Sequence, residues 1–183
     1  DRYKMKYDPD EDLSKYHLVQ KYLLNEDTIL TGKPILWVHT DHQMNSRKWD
    51  NFGSRNTEKL NQKYIELCIE TIVKHSSNSF NVCLINDESF SKLIPSWSID
   101  LEKLSDPIKV HMRNLGILKL LYYYGGMVMP NSMILMKDLK PMYDQMINDK
   151  GAFVGEFVAN DLTSTHTRFF PSNKFMGTRK KCD

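Results

Sequence analysis

The sequence predicts an α/β protein with a mostly parallel sheet flanked by helices. Short apolar runs bounded by turn residues alternate with longer stretches in which apolar residues recur every three or four positions. This alternation is typical of strands that alternate with helices. A strand, a helix and a second strand follow one another within residues 35–85, and such a unit gives parallel strands joined by a right-handed crossover.

Length, composition and charge indicate one folded domain. The 183 residues include 25 Lys and Arg and 23 Asp and Glu, for a net charge of +2, and 40% of them are hydrophobic. That hydrophobic share is enough for a core, and the near balance of charges argues against a nucleic-acid partner. No apolar run reaches the roughly 18–20 residues of a membrane span, and no signal-peptide pattern opens the chain. We therefore expect no membrane segment in this chain.

The first half of the chain supplies two strands and a helix. Residues 1–33 are predicted to form an N-terminal arm with a short helix, which ends at the turn 32–34. The apolar run 35–39 is predicted as the first strand, 58–74 as a helix with one apolar face, and 80–85 as the second strand.

The next helix has clear boundaries in the sequence. Pro107 fits its first turn, where no backbone N–H is needed, and the pair Gly125 and Gly126 ends it. The face that we expect to be buried consists of apolar residues at helical spacing, namely Ile108, Met112, Leu115, Leu118 and Tyr122.

The end of the chain is basic. A strand from Met127, a short helix over 139–147 and a strand over 152–158 are predicted before it. Residues 168–181 are predicted to be loop-like, as a solvated tail or a protein-docking segment. The predicted organisation is an arm at 1–33, an α/β domain at 34–160 and a basic C-terminal segment at 161–183.

Three cysteines are too few and too scattered for a disulfide framework. Cys68 and Cys83 have apolar neighbours and are predicted to be small buried hydrophobic residues, whereas Cys182 lies in a polar end. This usage favours a reducing compartment.

Chemistry is expected beyond the carboxyl ends of the strands, where parallel α/β sheets bind ligands. These segments follow His39, Ile85, Met129 and Val158. The run 39–42 contains metal-binding residue types, but local hydrogen bonding is the favoured interpretation because no further ligand group is evident. The sequence has neither a glycine-rich phosphate motif nor a Gly-x-Ser-x-Gly or Cys-His pattern, so the corresponding nucleotide-binding and hydrolase classes are unsupported.

Residues 121–126, Leu-Tyr-Tyr-Tyr-Gly-Gly, resemble a helix end in glycosyltransferases that carry a DXD sugar-binding region. In that family an apolar strand follows, and it leads to Asp-x-Asp and then to a Lys-x-Leu element. Residues 137–141 match the Lys-x-Leu element. Residues 34–39 are similar to the family's opening strand, and 85–88 are similar to a strand end with two acidic residues. The resemblance spans about 33–143 and implies a GT-A-like, Rossmann-like fold. Because GT-A domains usually run longer, it also implies C-terminal truncation.

The sequence departs from that family at the metal-binding motif. The two aspartates would stand at positions 130 and 132, but the chain has Pro130, Asn131 and Ser132. The resemblance implies that such aspartates hold Mn²⁺ or Mg²⁺ against the leaving nucleotide diphosphate, and hard cations need anionic oxygen ligands. We therefore expect no metal cofactor and no catalytic residues here.

The donor-binding helix departs as well. Asn114 stands where the resemblance places an aspartate, and Ile117 stands where it places an arginine, although Arg113 lies one turn earlier. The candidate donor-site remnants that the resemblance leaves are His39, Arg55, Asp87, Arg113, Gly125, Gly126 and Lys137.

Residues 52–56, 91–95 and 126–132 further resemble uncharacterised proteins of large nucleocytoplasmic DNA viruses. Together the two resemblances imply a catalytically inactive glycosyltransferase-like domain with a structural or binding role, as in a minor capsid protein. Its partners would be other proteins, including capsid proteins, and its location would be a reducing intracellular compartment or the virion.

The alternative is an active, nucleotide-sugar-dependent glycosyltransferase without a standard DXD motif. Arg55, Arg113 and Lys137 would then serve as fixed cations for the diphosphate, with Asp87 or Glu88 as acidic partners. Mn²⁺ or Mg²⁺ with a nucleotide-sugar would be the cofactors of that alternative.

Overall fold

The computed structural model describes residues 19–24, 32–40, 63–156 and 171–182. Its strands are β1 (Ile35–His39), β2 (Asn81–Ile85), β3 (Gly126–Pro130), β4 (Ala152–Glu156) and β5 (Pro171–Thr178). Its α-helices are α1 (Lys63–Ser76), α2 (Ser89–Leu93), α3 (Ile108–Tyr124) and α4 (Lys140–Lys150), and Leu101–Lys103 form a single 3₁₀ turn. None of the helices in these ranges is long and apolar enough to cross a membrane.

The five strands form one mixed sheet in the order β2-β1-β3-β5-β4. β1 runs parallel to both β2 and β3, whereas β5 runs antiparallel to both β3 and β4. The α/β class is therefore confirmed. The prediction of a mostly parallel sheet was wrong, because the sheet is mixed and parallel pairing is confined to β1, β2 and β3. The chain moves from β1 outward to β2 and then returns to place β3 on the other side of β1. The direction of winding thus reverses between β1 and β3.

The prediction of a loop-like basic end was wrong for 171–178. These residues form β5, which lies between β3 and β4 and joins them into the same sheet. The predicted boundary at 160 therefore does not separate a domain from a tail. The sequence pattern does not indicate this strand, because only Met176 and Gly177 of its residues are buried. Its place in the sheet depends instead on backbone pairing with β3 and β4.

Two apolar cores cover the two faces of the sheet. One core joins alternate strand residues, including Trp37 and Val128, to the buried side of α3. The other joins Leu36 and Met127 to residues of α1 and α4. Because successive strand residues point to opposite faces, a strand buried on both faces must be apolar throughout, which explains the continuous run of β1.

The predicted buried face of α3 was wrong for four of its five residues. Ile108, Leu115, Leu118 and Tyr122 are exposed, whereas Met112 is partly buried and packs against the core. The buried residues are Gly116, Ile117, Leu120, Leu121 and Tyr124. This helix carries apolar residues on more than one side, so helical spacing alone fits two faces, and the position of the sheet selects one of them.

The described part of the N-terminal arm packs against β2. Val19 is fully buried, and Leu23 forms an isolated antiparallel bridge with Cys83. Cys68 and Cys83 are buried free thiols, as predicted, and Cys182 is partly exposed. Burial raises the pKa of the Cys83 thiol, so this sulfur behaves as a hydrophobic group and not as a nucleophile.

Candidate functional site

The carboxyl ends of β1 and β3 lie side by side at the point where the winding reverses. His39 ends β1, Pro130 ends β3, and the two residues are register partners in the parallel pair. Open α/β sheets bind ligands in the crevice at this switch point, because the two connections leave it in opposite directions. The fold therefore marks this edge as the place for a binding site.

A cavity of about 470 Å³ occupies that edge and is here called the carboxyl-edge cavity. Residues of α1, α3, β3 and β5 line it together with His39, so it is assembled from segments far apart in the chain. Its wall consists of His39, Tyr64, Ile65, Val110, Arg113, Asn114, Ile117, Val128, Met129, Pro130, Asn131, Ser132, Asn173 and Lys174.

Asp87, which follows β2, holds two neighbouring side chains of this edge. Arg113 donates from Nε to Oδ1 at 2.7 Å and from Nη2 to Oδ2 at 2.6 Å. His39 Nε2 lies 2.9 Å from Oδ1, and because an ionised carboxylate only accepts, Nε2 carries the proton. The three side chains are 13–16% exposed, so this ion pair is largely shielded from water.

The partners of Asp87 keep it ionised. Burial by itself would raise the pKa of Asp87, but the hydrogen bonds and positive charges of Arg113 and His39 outweigh burial and hold the pKa well below its ordinary value of 3.8. The His39 ring also stacks on Phe90, with ring centroids 5.9 Å apart. Both the imidazole and the guanidinium are therefore held in fixed orientations.

Asp87 does not line the carboxyl-edge cavity. It lines a smaller, acidic cavity of about 280 Å³ together with Glu88, Asp100 and Glu102. His39 and Arg113 thus line the larger cavity, whereas their charged partner lines the smaller one. The ion pair serves to position the wall of the larger cavity.

The described residues do not fit Mn²⁺ or Mg²⁺ at positions 130–132, where the sequence resemblance would place a DXD motif. Pro130, Asn131 and Ser132 line the carboxyl-edge cavity, but proline has no side-chain oxygen and the other two side chains are neutral. Hard divalent cations require carboxylate or several oxygen ligands. In the part of the chain that the structure describes, no group of three or more His, Cys, Asp or Glu could hold a metal ion.

The remaining sequence candidates separate into two groups. Gly125 and Gly126 lie at the opposite, amino end of β3, where Gly126 adopts φ +92° and a Cβ would lie 2.1 Å from the Ile35 oxygen. Their role is therefore close backbone packing. Lys137 is exposed and does not line the carboxyl-edge cavity, and Arg55 lies outside the described residues.

Sequence reasoning missed two polar residues of the cavity, Asn173 and Lys174. Both belong to β5, which was predicted to be loop-like, so nothing indicated that they would reach the end of β3. Asn114 and Ile117, which stand where the resemblance places an aspartate and an arginine, do line the cavity.

Comparison of this chain with protein-family models, with curated proteins and with solved structures finds no match.

Proposed function

We propose that this chain is a glycosyltransferase-like domain that binds a polar, sugar-containing ligand in the carboxyl-edge cavity and does not carry out metal-dependent transfer. The observation that carries the proposal is the composition of the cavity wall. Among the described residues, this wall offers amide, hydroxyl and cationic groups but no carboxylate. It can therefore bind a ligand rich in hydroxyl and phosphate groups without assembling a divalent-metal centre.

The polar wall suits a polyhydroxylated ligand. Asn114, Asn131, Ser132 and Asn173 each carry a side chain that both donates and accepts hydrogen bonds, as sugar hydroxyl groups do. Lys174 adds one ammonium group, which suits a phosphate on the same ligand. The rest of the wall is mainly apolar, and a mixed wall of this kind is usual for small-molecule sites.

Transfer of a sugar from a nucleotide requires a positively charged group beside the departing diphosphate, because that group stabilises the negative charge of the diphosphate. Positions 130–132 supply no metal ligand set, and the Arg113 guanidinium is already bonded to both oxygens of Asp87. Lys137 lies outside the cavity wall. Arg55, the third cation of the alternative, lies outside the described residues. These observations favour binding without transfer over the alternative of an active, nucleotide-sugar-dependent glycosyltransferase without a standard DXD motif.

Calorimetric titration with UDP- and GDP-sugars, in Mn²⁺ and separately in EDTA, tests the binding proposal. We expect at least one donor to bind with the same affinity in both buffers and no sugar to be released. Lys174→Ala should weaken binding about tenfold, the loss of one charge-assisted contact, while Lys92→Ala, an exposed cation outside the cavity, should not. Mn²⁺-dependent sugar transfer would contradict the proposal, and so would the absence of binding by every donor.

A gain-of-function variant tests the glycosyltransferase-like geometry directly. Pro130→Asp combined with Ser132→Asp restores the two carboxylates that the resemblance implies. We expect Mn²⁺ binding by the double variant and not by the parent chain, measured by calorimetry with thermal melting as the folding control. A folded double variant that still ignores Mn²⁺ would count against this geometry.

The proposed role as a virion component with protein partners rests on the sequence resemblance alone. Mass spectrometry of purified virus particles is its test, and consistent absence of the chain from particles would count against a capsid role.

A further inference from the structure

A second cavity lies at the amino edge of the sheet, at the opposite end of the strands from the carboxyl-edge cavity. It has a volume of about 370 Å³ and is here called the amino-edge cavity. Its wall joins four segments of the chain, at 32–35, 124–126, 140–144 and 179–180. The starts of β1 and β3, the first turn of α4 and the residues after β5 therefore meet there.

The wall of the amino-edge cavity is strongly basic. Lys33, Lys140, Arg179 and Lys180 line it, and Asp144 is the one acidic residue among its described lining residues. Four cations against one carboxylate leave a local charge of +3, which exceeds the net charge of +2 of the entire chain. A concave surface with one sign of charge concentrates oppositely charged ions.

The single carboxylate is already paired within the wall. Lys140 Nζ lies 2.7 and 2.6 Å from the two carboxylate oxygens of Asp144. Lys33 Nζ donates a long hydrogen bond of 3.4 Å to the Ser77 carbonyl oxygen and keeps its other two protons for further acceptors. The positive charge of the wall is thus not cancelled by Asp144.

Arg179 lines the same cavity. Within the described part of the chain, its guanidinium forms no ion pair. The guanidinium lies beside Gly151, which is itself outside the lining of the cavity. Arg179 therefore brings its positive charge to the border of the cavity.

The amino end of the 11-residue helix α4 also borders the cavity, through Lys140, Tyr143 and Asp144. The Lys140 N–H donates to the Asp138 carboxylate and Pro141 has no N–H. The positive charge of the wall is therefore assigned to its basic side chains.

We propose that the amino-edge cavity binds a small phosphate-bearing anion of the size of pyrophosphate. Guanidinium and ammonium groups form their strongest hydrogen bonds with phosphate oxygens, and Arg179 offers two parallel donors. Several cations around one open concave surface suit a polyvalent phosphate better than an anion with a single carboxylate. The site lies at the other edge of the sheet from the carboxyl-edge cavity, so it does not depend on the function proposed above.

The test is calorimetric titration of the full chain with inorganic pyrophosphate at low ionic strength. We expect one site per chain, and we expect binding to weaken as salt is raised because salt screens the wall. Arg179→Ala and Lys33→Ala should each weaken binding about tenfold or more. Lys92→Ala removes the same charge from an exposed position outside every cavity described here and should change affinity less than twofold.

Any one of three results would overturn the proposal. The first is the absence of pyrophosphate binding to the folded parent chain. The second is an equal loss of affinity in Lys92→Ala, which would indicate attraction to overall charge and not to a site. The third is binding of a short oligonucleotide to a chain that does not bind pyrophosphate, since the ligand would then be an extended polymer. Thermal melting of each variant verifies folding, and Arg179 and Lys33 test the site independently if one variant is unstable.

Discussion

Arg113 donates two hydrogen bonds to Asp87, one to each carboxylate oxygen, at 2.7 and 2.6 Å. Asp87 follows β2 and Arg113 lies on α3, so the pair ties a strand end to the helix that covers one face of the sheet. His39 at the end of β1 bonds to the same carboxylate. One side chain therefore fixes two residues of the carboxyl-edge cavity wall.

Replacing Asp87 with Asn should destabilise the chain by about 3 kcal/mol, because the Arg113 charge would remain in a largely buried place without its partner. Asp144→Asn is the matched control, since its pair with Lys140 is much more exposed, and it should cost less than about 1 kcal/mol. Urea unfolding measures both values. Equal losses in the two variants would contradict a special role for the Asp87 pair.

The stabilisation from Asp87 should depend on pH in the acid range. Its pKa is lowered in the folded chain, because burial, which acts to raise it, is outweighed by Arg113 and His39. The unfolded chain therefore takes up this proton first, so the stabilisation is complete above about pH 4 and is lost as pH falls further. Between pH 6 and pH 3, measured at pH 6, 4 and 3, the free energy of unfolding should fall less steeply for Asp87→Asn than for the parent chain. Parallel pH profiles for parent and variant would contradict this prediction.

Gly126 should tolerate no side chain. A Cβ at this position would lie 2.1 Å from the backbone oxygen of Ile35, in addition to the strain of φ +92°. Gly126→Ala should therefore cost more than about 3 kcal/mol or prevent folding. Gly32 has a similar φ of +80° with nothing within 4 Å, so Gly32→Ala measures the backbone strain alone, at about 1–2 kcal/mol. Thermal or urea unfolding of the two variants compares them, and similar losses would refute the steric argument.

The two sides of α3 should respond differently to truncation. Leu120 is fully buried, so Leu120→Ala should destabilise the chain by about 2–5 kcal/mol through lost burial and a cavity. Leu118 is 52% exposed, and Leu118→Ala should change stability by less than about 1 kcal/mol. Urea unfolding distinguishes the buried face observed here from the face that the sequence pattern favoured, which would give the opposite order.

The carboxyl edge of the sheet was predictable in part. The rule that ligands bind beyond the carboxyl ends of parallel strands pointed to the segments after His39, Ile85, Met129 and Val158. The last of these segments lies outside the described residues. Two of them contribute to the carboxyl-edge cavity, through His39 and through Pro130 to Ser132. The segment after Ile85 supplies Asp87, which orients that wall from the side of the other cavity. A β-α-β alternation implies parallel strands, and the carboxyl ends of parallel strands lie at the same edge of a sheet. The shared edge could therefore be inferred without the strand order.

The position of the basic end in the sheet was not predictable. Residues 171–178 show little side-chain burial, and their place between β3 and β4 depends on backbone hydrogen bonds to strands far away in the chain. As a consequence, Lys174 and Arg179, which are close in sequence, line different cavities at opposite edges of the sheet. Antiparallel pairing with β3 sends the start of β5 to one edge and its end to the other.

The sequence by itself determined the α/β class, the parallel pair β1 and β2 joined by a helix, the buried cysteines and the absence of aspartates at positions 130 and 132. These properties depend on residue type and local periodicity, which a single chain displays directly. Tertiary structure alone decided which side of α3 is buried, where β5 inserts and that Asp87 binds both His39 and Arg113. Each of these outcomes depends on contacts between residues that are distant in the chain. Local spacing does not indicate which of two apolar helix faces will be buried, nor beside which strand another strand will pair.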